Sequence, residues 1–260
     1  SDVVLVLTSS GTGGQRTQTA FDGPSLARLK ALAECCFRAA GYASDTPVHY
    51  FLLGYDPAHA PEVGTSWSNE QLLALAPALS TRWTIEWDEG TGSFRFDAER
   101  WARALLEAAA TAPVRLLGFP AFMYQLVEEV RRLRPGCRVD PRSFVIGGGG
   151  WKNHQGTPMG HAEFARYVED GLGVPAANVR DAYGMVEHGV PYNACAEGRH
   201  HEPVYGRLRV VDPLTLAPLP EGEEGLLVLY TPYNTAQPNL AVLSTDLAVL
   251  GRGCRCGIER

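Results

Sequence analysis

A glycine- and hydroxyl-rich segment near the start of the chain has the composition of a phosphate-binding loop. Glycines lack a Cβ atom, so a backbone of this kind can wrap closely around a ligand. Its N–H groups and hydroxyls can converge on one anion, and the guanidinium of Arg16 adds a fixed positive charge. The alternative is an ordinary Gly/Ser turn, because short glycine-rich motifs are common. The segment consists of Thr8, Ser9, Ser10, Gly11, Thr12, Gly13 and Gly14.

Two later segments and one aspartate carry groups suited to the rest of a nucleotide. The glycines at 147–150 offer bare backbone against which adenine or an acyl group could lie, although a flexible loop has the same composition. Tyr183 offers a ring face to a base, and Glu187 offers carboxylate oxygens to a phosphate-bridging Mg²⁺. Asp246 could accept hydrogen bonds from both ribose hydroxyls. The alternatives are a core tyrosine, a solvated glutamate and an aspartate in a strand–turn junction. His188 is predicted to lie behind the site or on the surface.

Cysteine and histidine residues in the last third of the chain have the types and spacing of a zinc site. Thiolates and an imidazole form tetrahedral Zn²⁺ sites, and a short Cys-x-Cys pair can chelate the ion. The predicted ligands are Cys195, His201, Cys254 and Cys256, with His200 as the alternative to His201. Free thiols beside a surface histidine pair would be the other interpretation.

The spacing of apolar residues predicts strands that alternate with helices until about residue 183. Predicted strands are Val3–Leu7, Val48–Leu53, Val114–Phe119, Phe144–Ile146, Asn178–Tyr183, Arg207–Val211 and Gly225–Tyr230. Predicted helices are Pro24–Ala40, Glu70–Leu79, Asp97–Ala112 with Asp97 as the cap, Pro120–Leu133 and His161–Leu172. Residues 57–69 are predicted to form a loop, and Cys35 and Cys36 are predicted to be core thiols.

This alternation predicts an α/β fold with a mostly parallel sheet. Ligands of such sheets bind beyond the carboxyl ends of the strands. Three predicted strand ends lead into Thr8–Thr17, Gly147–Lys152 and Tyr183–Glu187, so we expect one composite site. Residues 1–190 are predicted to form the α/β core, and residues 191–260 a β-rich subdomain that carries the zinc site.

Composition excludes some functions. The net charge of −6 gives no bulk attraction to nucleic acid or to an anionic membrane. No apolar run reaches the length of a membrane span and no signal peptide is visible, so a cytoplasmic location is predicted. The chain opens without a Met and ends shortly after Cys256, which suggests that flanking segments of a longer protein are missing.

Three motifs together resemble the adenylate-forming superfamily of acyl-CoA synthetases and related ligases. Thr8–Gly14, Tyr183–Glu187 and Thr245–Leu247 occur in the order and approximate spacing found there. Within that superfamily the chain resembles, over essentially its whole length, the acyl-protein synthetase family of bacterial bioluminescence, with phenylacetate–CoA ligases as close relatives. The segments that carry this closer resemblance are Gly147–Lys152, Tyr183–Tyr192, Thr231–Thr235 and Cys254–Ile258.

The resemblance implies the large N-terminal-type domain of an adenylate-forming enzyme, with sheets flanked by helices and a small β-rich subdomain. It also implies a two-step reaction. A carboxylate, here a fatty acid, attacks the α-phosphorus of ATP to give an acyl-adenylate and pyrophosphate. The acyl group then passes to a thiol, which is a cysteine of the enzyme in the bioluminescence family and coenzyme A in the relatives. An acyl-accepting protein or a reductase is a possible partner. Related phenylacetate-type ligases have a similar Cys, His and Cys-x-Cys arrangement, which supports a structural zinc.

The resemblance also assigns roles to residues. Glu187, Arg16 and Thr12 are the expected catalytic residues, with Thr12 and Glu187 near Mg²⁺. Nucleotide contacts are expected from Thr8, Ser9, Ser10, Gly11, Thr12, Gly13, Gly14, Gly148, Gly149, Asp181, Tyr183, Gly184 and Asp246. Two positions depart from the family pattern: Val186 stands where a threonine is usual, and Arg16 stands where lysine is frequent.

Family members carry a catalytic lysine on a small C-terminal lid, and this chain is expected to end before that lid. Weak adenylation, or none, is therefore predicted for these 260 residues alone. The acyl pocket is predicted around Phe119, Phe122, Met123, Tyr124 and residues 147–151. An aryl- or acyl-CoA ligase of the phenylacetate type is the alternative enzyme. A non-catalytic nucleotide-binding module is the alternative from another class.

Overall fold

The structure is a computed structural model that describes residues 2–9, 16–60, 64–151, 158–203 and 205–258, with side chains 64–67 not described. The strands are β1 (Val3–Thr8), β2 (Gln18–Asp22), β3 (Val48–Tyr55), β4 (Ala78–Asp88), β5 (Ser93–Phe96), β6 (Val114–Gly118), β7 (Phe144–Gly148), β8 (Val179–Tyr183), β9 (Tyr192–Asn193), β10 (Arg207–Val211), β11 (Glu224–Tyr230) and β12 (Ala241–Val249). The helices are α1 (Gly23–Ala39), α2 (Gly64–Leu73), α3 (Ala98–Ala109), α4 (Pro120–Leu133) and α5 (His161–Leu172), and a short 3₁₀ turn spans Ala176–Asn178.

The largest sheet has the strand order β5-β4-β3-β6-β7-β8-β9. Its five inner strands are parallel, and β5 and β9 pair antiparallel at the two edges. Parallel strands are covered by helices on both faces, so their sequences are continuous apolar runs. β6 shows this most clearly, since all five of its residues are buried. The predicted α/β class with a mostly parallel sheet is confirmed.

Two apolar layers hold the helices on opposite faces of this sheet. Successive strand residues point to opposite faces, so neighbours on β6 enter different layers. Leu116 packs in the layer that includes residues of α3, α4 and α5. Leu117 packs in the layer that includes residues of α1 and α2. The carboxyl ends of β7 and β8 are thereby fixed side by side between the layers.

Helix ends follow local chemistry that the sequence displays. The Asp97 carboxylate accepts a hydrogen bond from the Arg100 N–H (3.0 Å) and caps α3, as predicted. Pro120 opens α4, where its missing N–H costs nothing. Gly173 ends α5 in the left-handed conformation (φ 76°). The predicted bounds of α4 and α5 are confirmed, whereas α3 ends at Ala109 instead of residue 112.

Two smaller sheets accompany the large one. Strands β10, β11 and β12 form an antiparallel sheet, and β1 pairs antiparallel with β2. β9 follows residue 190, yet it pairs with β8 in the large sheet. The predicted division of the chain at residue 190 therefore stays a prediction.

Several local predictions are wrong for identifiable reasons. The sequence predicts a loop over residues 57–69 and a helix over Glu70–Leu79, but α2 begins at Gly64 and ends at Leu73, and residues 78–79 belong to β4. Polar residues in β4 hide its strand character, because the strand lies next to the sheet edge and is only partly buried. Cys35 is exposed and Cys36 only partly buried, since the inward face of α1 is Ser25, Leu29, Ala33 and Phe37.

Gly189 offers a test of a local backbone requirement. It has φ +81°, and a Cβ atom there would overlap the hydroxyl of Tyr233. Gly189→Ala should lower the free energy of unfolding by about 1–2 kcal/mol from the left-handed backbone and by about 1–3 kcal/mol more from overpacking. Urea unfolding measures both terms together.

Gly41→Ala is the matched control, because Gly41 has φ +79° and open space around its missing Cβ. It should show the backbone term alone. Equal losses in the two variants would mean that Tyr233 moves aside at no cost.

Candidate active site

A hydrogen bond joins the large sheet to the three-stranded sheet at the predicted nucleotide site. The Tyr183 hydroxyl at the end of β8 donates to Asp246 Oδ2 on β12, at 2.7 Å. Burial and the hydrogen bond to Asp246 raise the pKa of Tyr183 well above its ordinary value, so it stays a donor. Two residues predicted from separate motifs are thus in contact. Asp246 lies within β12 and not at a strand–turn junction, because residues 241–249 form one strand.

The first loop reaches the same region through Thr17. The Thr17 N–H donates to Ser9 Oγ (2.9 Å), and the Thr17 hydroxyl lies 2.9 Å from the same oxygen. The Thr17 hydroxyl also donates to Glu187 Oε1. Asn239 Nδ2 donates to the Glu187 carbonyl at 2.9 Å, which fixes the backbone there. The predicted phosphate loop and the predicted magnesium carboxylate therefore meet, through a threonine that had been given no role.

The remaining residues of the first segment are only partly described. Thr8 is buried, and its hydroxyl has no hydrogen-bond partner within the described ranges. Arg16 is exposed. Predictions for Ser10, Gly11, Thr12, Gly13 and Gly14, and the segment that begins at Lys152, fall outside the described residues.

The glycine run continues directly from β7. Gly147 pairs with Asp181 and Gly148 with Ala182 in the parallel ladder. A Cβ atom on Gly148 would lie 3.3 Å from the Ala182 carbonyl oxygen, so the two strand ends approach closely. Gly149 and Gly150 have φ of 76° and 68°, which only glycine adopts readily. Exposed Gly184 follows Tyr183 across from this run.

Asp181 is held at both its backbone and its side chain. Its carbonyl accepts hydrogen bonds from the Ala194 N–H (2.8 Å) and from the Tyr42 hydroxyl (3.2 Å). Its Oδ2 lies 3.2 Å from Nε2 of His200. The sequence offered no signal for Tyr42, since it lies 139 residues away from Asp181 along the chain.

The predicted zinc ligands come together in the structure. One ligand atom from each of Cys195, His201, Cys254 and Cys256 lies within 4.8 Å of the other three. The Cys195 and Cys254 sulfurs are 3.6 Å apart, and Cys256 Sγ lies 3.2 Å from His201 Nε2. Thiolates at about 2.3 Å from a tetrahedral ion would be about 3.7 Å apart, so the donor set fits Zn²⁺. His200 belongs to the Asp181 pair instead, which decides between the two histidines.

Burial and hydrogen bonds shift the pKa of the Cys195 thiol in opposite directions. Burial raises its pKa, but hydrogen bonds from the Arg199 backbone and His201, with smaller ones from the Glu197 backbone and Cys254, lower it to about 6. A thiol held in this way is readily available as a thiolate ligand.

The chain is similar to known proteins over nearly its whole length. The model of the family described as "Acyl-protein synthetase, LuxE" matches residues 2–259 of this chain. The chain belongs to the acyl-protein synthetase family. It is 26% identical over 251 residues to the long-chain-fatty-acid–luciferin-component ligase of Aliivibrio fischeri, covering 96% of this chain and 64% of the relative. It is 26% identical over 221 residues to the protein of the same name from Vibrio harveyi, covering 85% of this chain and 56% of that protein. The chain thus spans less than two thirds of the length of these relatives.

A phenylacetate-coenzyme A ligase from Thermus thermophilus is also similar, at 36% identity over 145 residues, or 53% of this chain and 30% of that protein. Among solved structures, ATP-bound MatB from Rhodopseudomonas palustris is similar with a TM-score of 0.59 and 19% identity, over 96% of this chain and 46% of that one. A 2-hydroxyisobutyryl-CoA ligase complex has a TM-score of 0.61 at 17% identity, over 95% of this chain and 52% of that one. These structural likenesses show the fold, which is that of the N-terminal domain of adenylate-forming ligases.

The predicted acyl pocket needs correction. Met123 is fully buried on the sheet-facing side of α4 and Phe119 is 1% exposed, so neither lines an open acyl pocket in this structure. Tyr124 and Trp151 are partly exposed, with ring centroids 6.3 Å apart. His188 is buried, with Nε2 2.9 Å from the Tyr192 hydroxyl, which agrees with a position behind the site and excludes the surface alternative.

Within the ranges that the structure covers, we find no helix of sufficient length and apolarity to span a bilayer. The cytoplasmic location predicted from the sequence stays a prediction.

His188 should make the stability of the chain depend on pH. Burial lowers its pKa from 6.5 to about 4. The unfolded chain therefore takes up a proton at His188 near pH 6.5, whereas the folded chain takes it up only near pH 4. Because the unfolded chain binds more protons between these values, the free energy of unfolding falls as the pH falls through this window. The loss should approach roughly 3 kcal/mol by pH 4.

Urea unfolding between pH 7 and pH 4 measures this loss. His188→Gln should flatten the slope, whereas His59→Gln, at an exposed position, should leave it unchanged. A wild-type slope that persists in His188→Gln would assign the effect to other groups.

Proposed function

We propose that this chain is the nucleotide- and acid-binding part of an ATP-dependent ligase that activates a carboxylic acid, in this family a fatty acid, as its acyl-adenylate. In the longer protein the acyl group would then pass to a thiol. The observation that carries this proposal is the contact between Tyr183 and Asp246, which unites the expected adenine and ribose residues across two sheets. The names of the relatives from Aliivibrio fischeri and Vibrio harveyi support the fatty-acid substrate.

Each group at the site has a chemical task in this reaction. Asp246 accepts hydrogen bonds from the ribose hydroxyls, and the Tyr183 hydroxyl keeps its carboxylate in orientation. The bare backbone of Gly148 and Gly149 and the ring of Tyr183 flank the adenine, next to Asp181 and Gly184. We assign the phosphates to Ser9 and Arg16 and, by sequence motif alone, to Ser10 to Gly14. N–H groups and a guanidinium stabilise the negative charge that spreads in the transition state.

Glu187 suits a magnesium ion carried in with ATP. Mg²⁺ sites commonly use one or two carboxylates and complete their shell with substrate phosphates and water. The Glu187 carboxylate faces the phosphate loop, where Thr17 already donates to it. Such an ion, when bound, would withdraw electron density from the α-phosphorus and neutralise the leaving pyrophosphate. Thr12 is the further group that we assign beside this ion.

The Cys195, His201, Cys254 and Cys256 cluster suits a structural zinc ion. All four donors come from protein side chains, which leaves no open position for a substrate. The cluster joins the segment after β9 to the end of the described chain. We assign it to stability and local order and not to catalysis.

An aryl- or acyl-CoA ligase is the second candidate, because the 36% identity to a phenylacetate-coenzyme A ligase exceeds that to the luciferin-component ligases. Both candidates share the acyl-adenylate step and differ in the acyl acceptor. Thioester products formed by the full-length protein with fatty and aryl acids, with and without coenzyme A, separate them. The acceptor is coenzyme A in one case, and the protein itself or a carrier or reductase partner in the other.

Asp246→Ala tests the nucleotide site. Losing hydrogen bonds to a charged acceptor costs about 1.5–3 kcal/mol, so ATP with Mg²⁺ should bind roughly tenfold or more weakly. Isothermal titration calorimetry of the 260-residue chain measures this, with thermal shift as a second readout. Tyr183→Phe keeps the ring and should lose less.

Glu223→Ala is the charge-matched control, at an exposed position in the turn before β11. It should bind ATP as the wild type does. Equal ATP affinity of Asp246→Ala and wild type would contradict the assigned ribose contact.

Elemental analysis tests the metal site. We expect one zinc ion per chain, which matches the single four-residue cluster among the described residues. Cys254→Ser and Cys256→Ser should lower the zinc content and the melting temperature. Cys35→Ser, at an exposed position, should change neither. Zinc-free wild type of unchanged melting temperature would rule out a structural metal.

A further inference from the structure

Two adjacent histidines face two different sites. His201 lies in the Cys/His cluster, with Nε2 3.2 Å from Cys256 Sγ. His200 turns the other way, and its Nε2 lies 3.2 Å from Asp181 Oδ2 at the end of β8. A single peptide bond therefore separates a metal-site ligand from a partner of the nucleotide site. A backbone displacement at one histidine is therefore passed directly to the other.

The backbone around these histidines forms a short hairpin whose other arm also carries a ligand. Ala194 and His200 form an antiparallel bridge, and the Cys195 N–H donates to the Arg199 carbonyl at 2.9 Å. The Gly198 N–H donates back to the Cys195 carbonyl at 2.9 Å, which closes the turn. Both arms of this 194–201 hairpin thus supply the cluster, and an ion bound there would clamp the arms together.

The same hairpin is fastened to β8 at the residue that His200 faces. The Ala194 N–H donates to the Asp181 carbonyl at 2.8 Å. The Tyr42 hydroxyl lies within hydrogen-bond distance of both the Asp181 and the Ala194 carbonyls, at 3.2 Å and 3.1 Å. Buried Arg180 adds a contact, since its guanidinium lies 3.4 Å from the Ala194 carbonyl.

The Asp181–His200 side-chain pair contributes more to the orientation of the Asp181 carboxylate than to the stability of the fold. The Asp181 and His200 side chains are 42% and 34% exposed, and ion pairs of such exposure contribute little stability. A fixed donor on one carboxylate oxygen nevertheless sets which way the carboxylate points. The second oxygen is then left for a hydrogen-bond donor of the nucleotide.

We propose that His200 is a positioning residue that couples metal binding at the Cys195, His201, Cys254 and Cys256 cluster to nucleotide binding at Asp181. The bound metal clamps the 194–201 hairpin, the hairpin holds His200, and His200 orients the Asp181 carboxylate. This inference rests on the proposed nucleotide site. By linkage, each ligand must then strengthen binding of the other by the same factor.

The test measures ATP affinity of the 260-residue chain by calorimetry, in the presence of Mg²⁺, before and after zinc removal. Zinc is removed with a zinc-selective chelator that is desalted away before Mg²⁺ is added. Removal should weaken ATP binding roughly tenfold in the wild type. Zinc-loaded His200→Ala should show the same weakening while it keeps its zinc by elemental analysis, and zinc removal should weaken it little further.

Two variants separate positioning from a general loss of structure. His200→Gln retains an N–H donor and should restore most of the ATP affinity. His49→Gln removes a hydrogen-bonded histidine that contacts Ser80 and Thr111 near the start of β3, whereas the site lies at the carboxyl ends of the strands. It should bind ATP as the wild type does and retain the tenfold response to zinc.

Cobalt provides a readout that a merely structural role would not move. With Co²⁺ in place of zinc, ATP should shift the visible d–d absorption of the wild type and leave that of His200→Ala unchanged. ATP affinity of the wild type that is the same with and without zinc would overturn the coupling, as would wild-type affinity in His200→Ala. A wild type that binds no ATP would instead overturn the proposed function, and the coupling with it.

Discussion

The hydrogen bond from Tyr183 to Asp246 is the interaction on which the site depends. β8 belongs to the seven-stranded sheet and β12 to the three-stranded sheet, so no ladder of backbone hydrogen bonds joins them directly. The bond between the neutral phenol and the carboxylate sets the distance between the two residues that we assign to adenine and ribose, and an apolar cluster that includes Tyr192, Leu227 and Leu229 packs the two sheets together beside it. Burial helps, because it keeps the phenol protonated and therefore a donor.

The wider architecture follows from a constraint on parallel strands. Their carboxyl ends must meet at one edge, and the helices that connect them cover both faces. Gly147 and Asp181 are opposite each other in the ladder for this reason, although the sequence separates them by a whole helix. The glycine run after β7 and the end of β8 thereby lie side by side, which is the arrangement on which the proposed composite site depends.

The fold and much of the site could be predicted because their signals are local. Apolar runs identify the buried inner strands, and Asp97, Pro120 and Gly173 mark helix ends by their own chemistry. The sequence did not predict β4 and β12, because partly exposed strands at or near a sheet edge carry polar residues. β12 also has a register irregularity opposite β11, which breaks the alternation of its buried and exposed residues. The prediction that Cys35 is a core thiol is wrong, because the apolar pattern of a helix does not show which residues at the margin of a wide apolar face are buried.

Contacts between distant segments could not be predicted from residue types. Thr17 resembles any loop threonine until the fold brings it to Glu187, and Tyr42 gives no sign of its two carbonyl partners. His200 and His201 are equivalent by spacing, and only the direction of each ring separates their roles. These contacts form only in the folded chain, so residue types and spacing alone do not predict them.

The close approach of Gly189 to Tyr233 has a consequence for sequence change. The two positions lie in different motifs, yet they share one volume, since the tyrosine hydroxyl occupies the space of the missing glycine side chain. A side chain at 189 competes with the Tyr233 hydroxyl for this volume, so a shorter residue at 233 should relieve the overlap caused by a substitution at 189. A sequence library that varies these two segments should therefore let positions 189 and 233 change together.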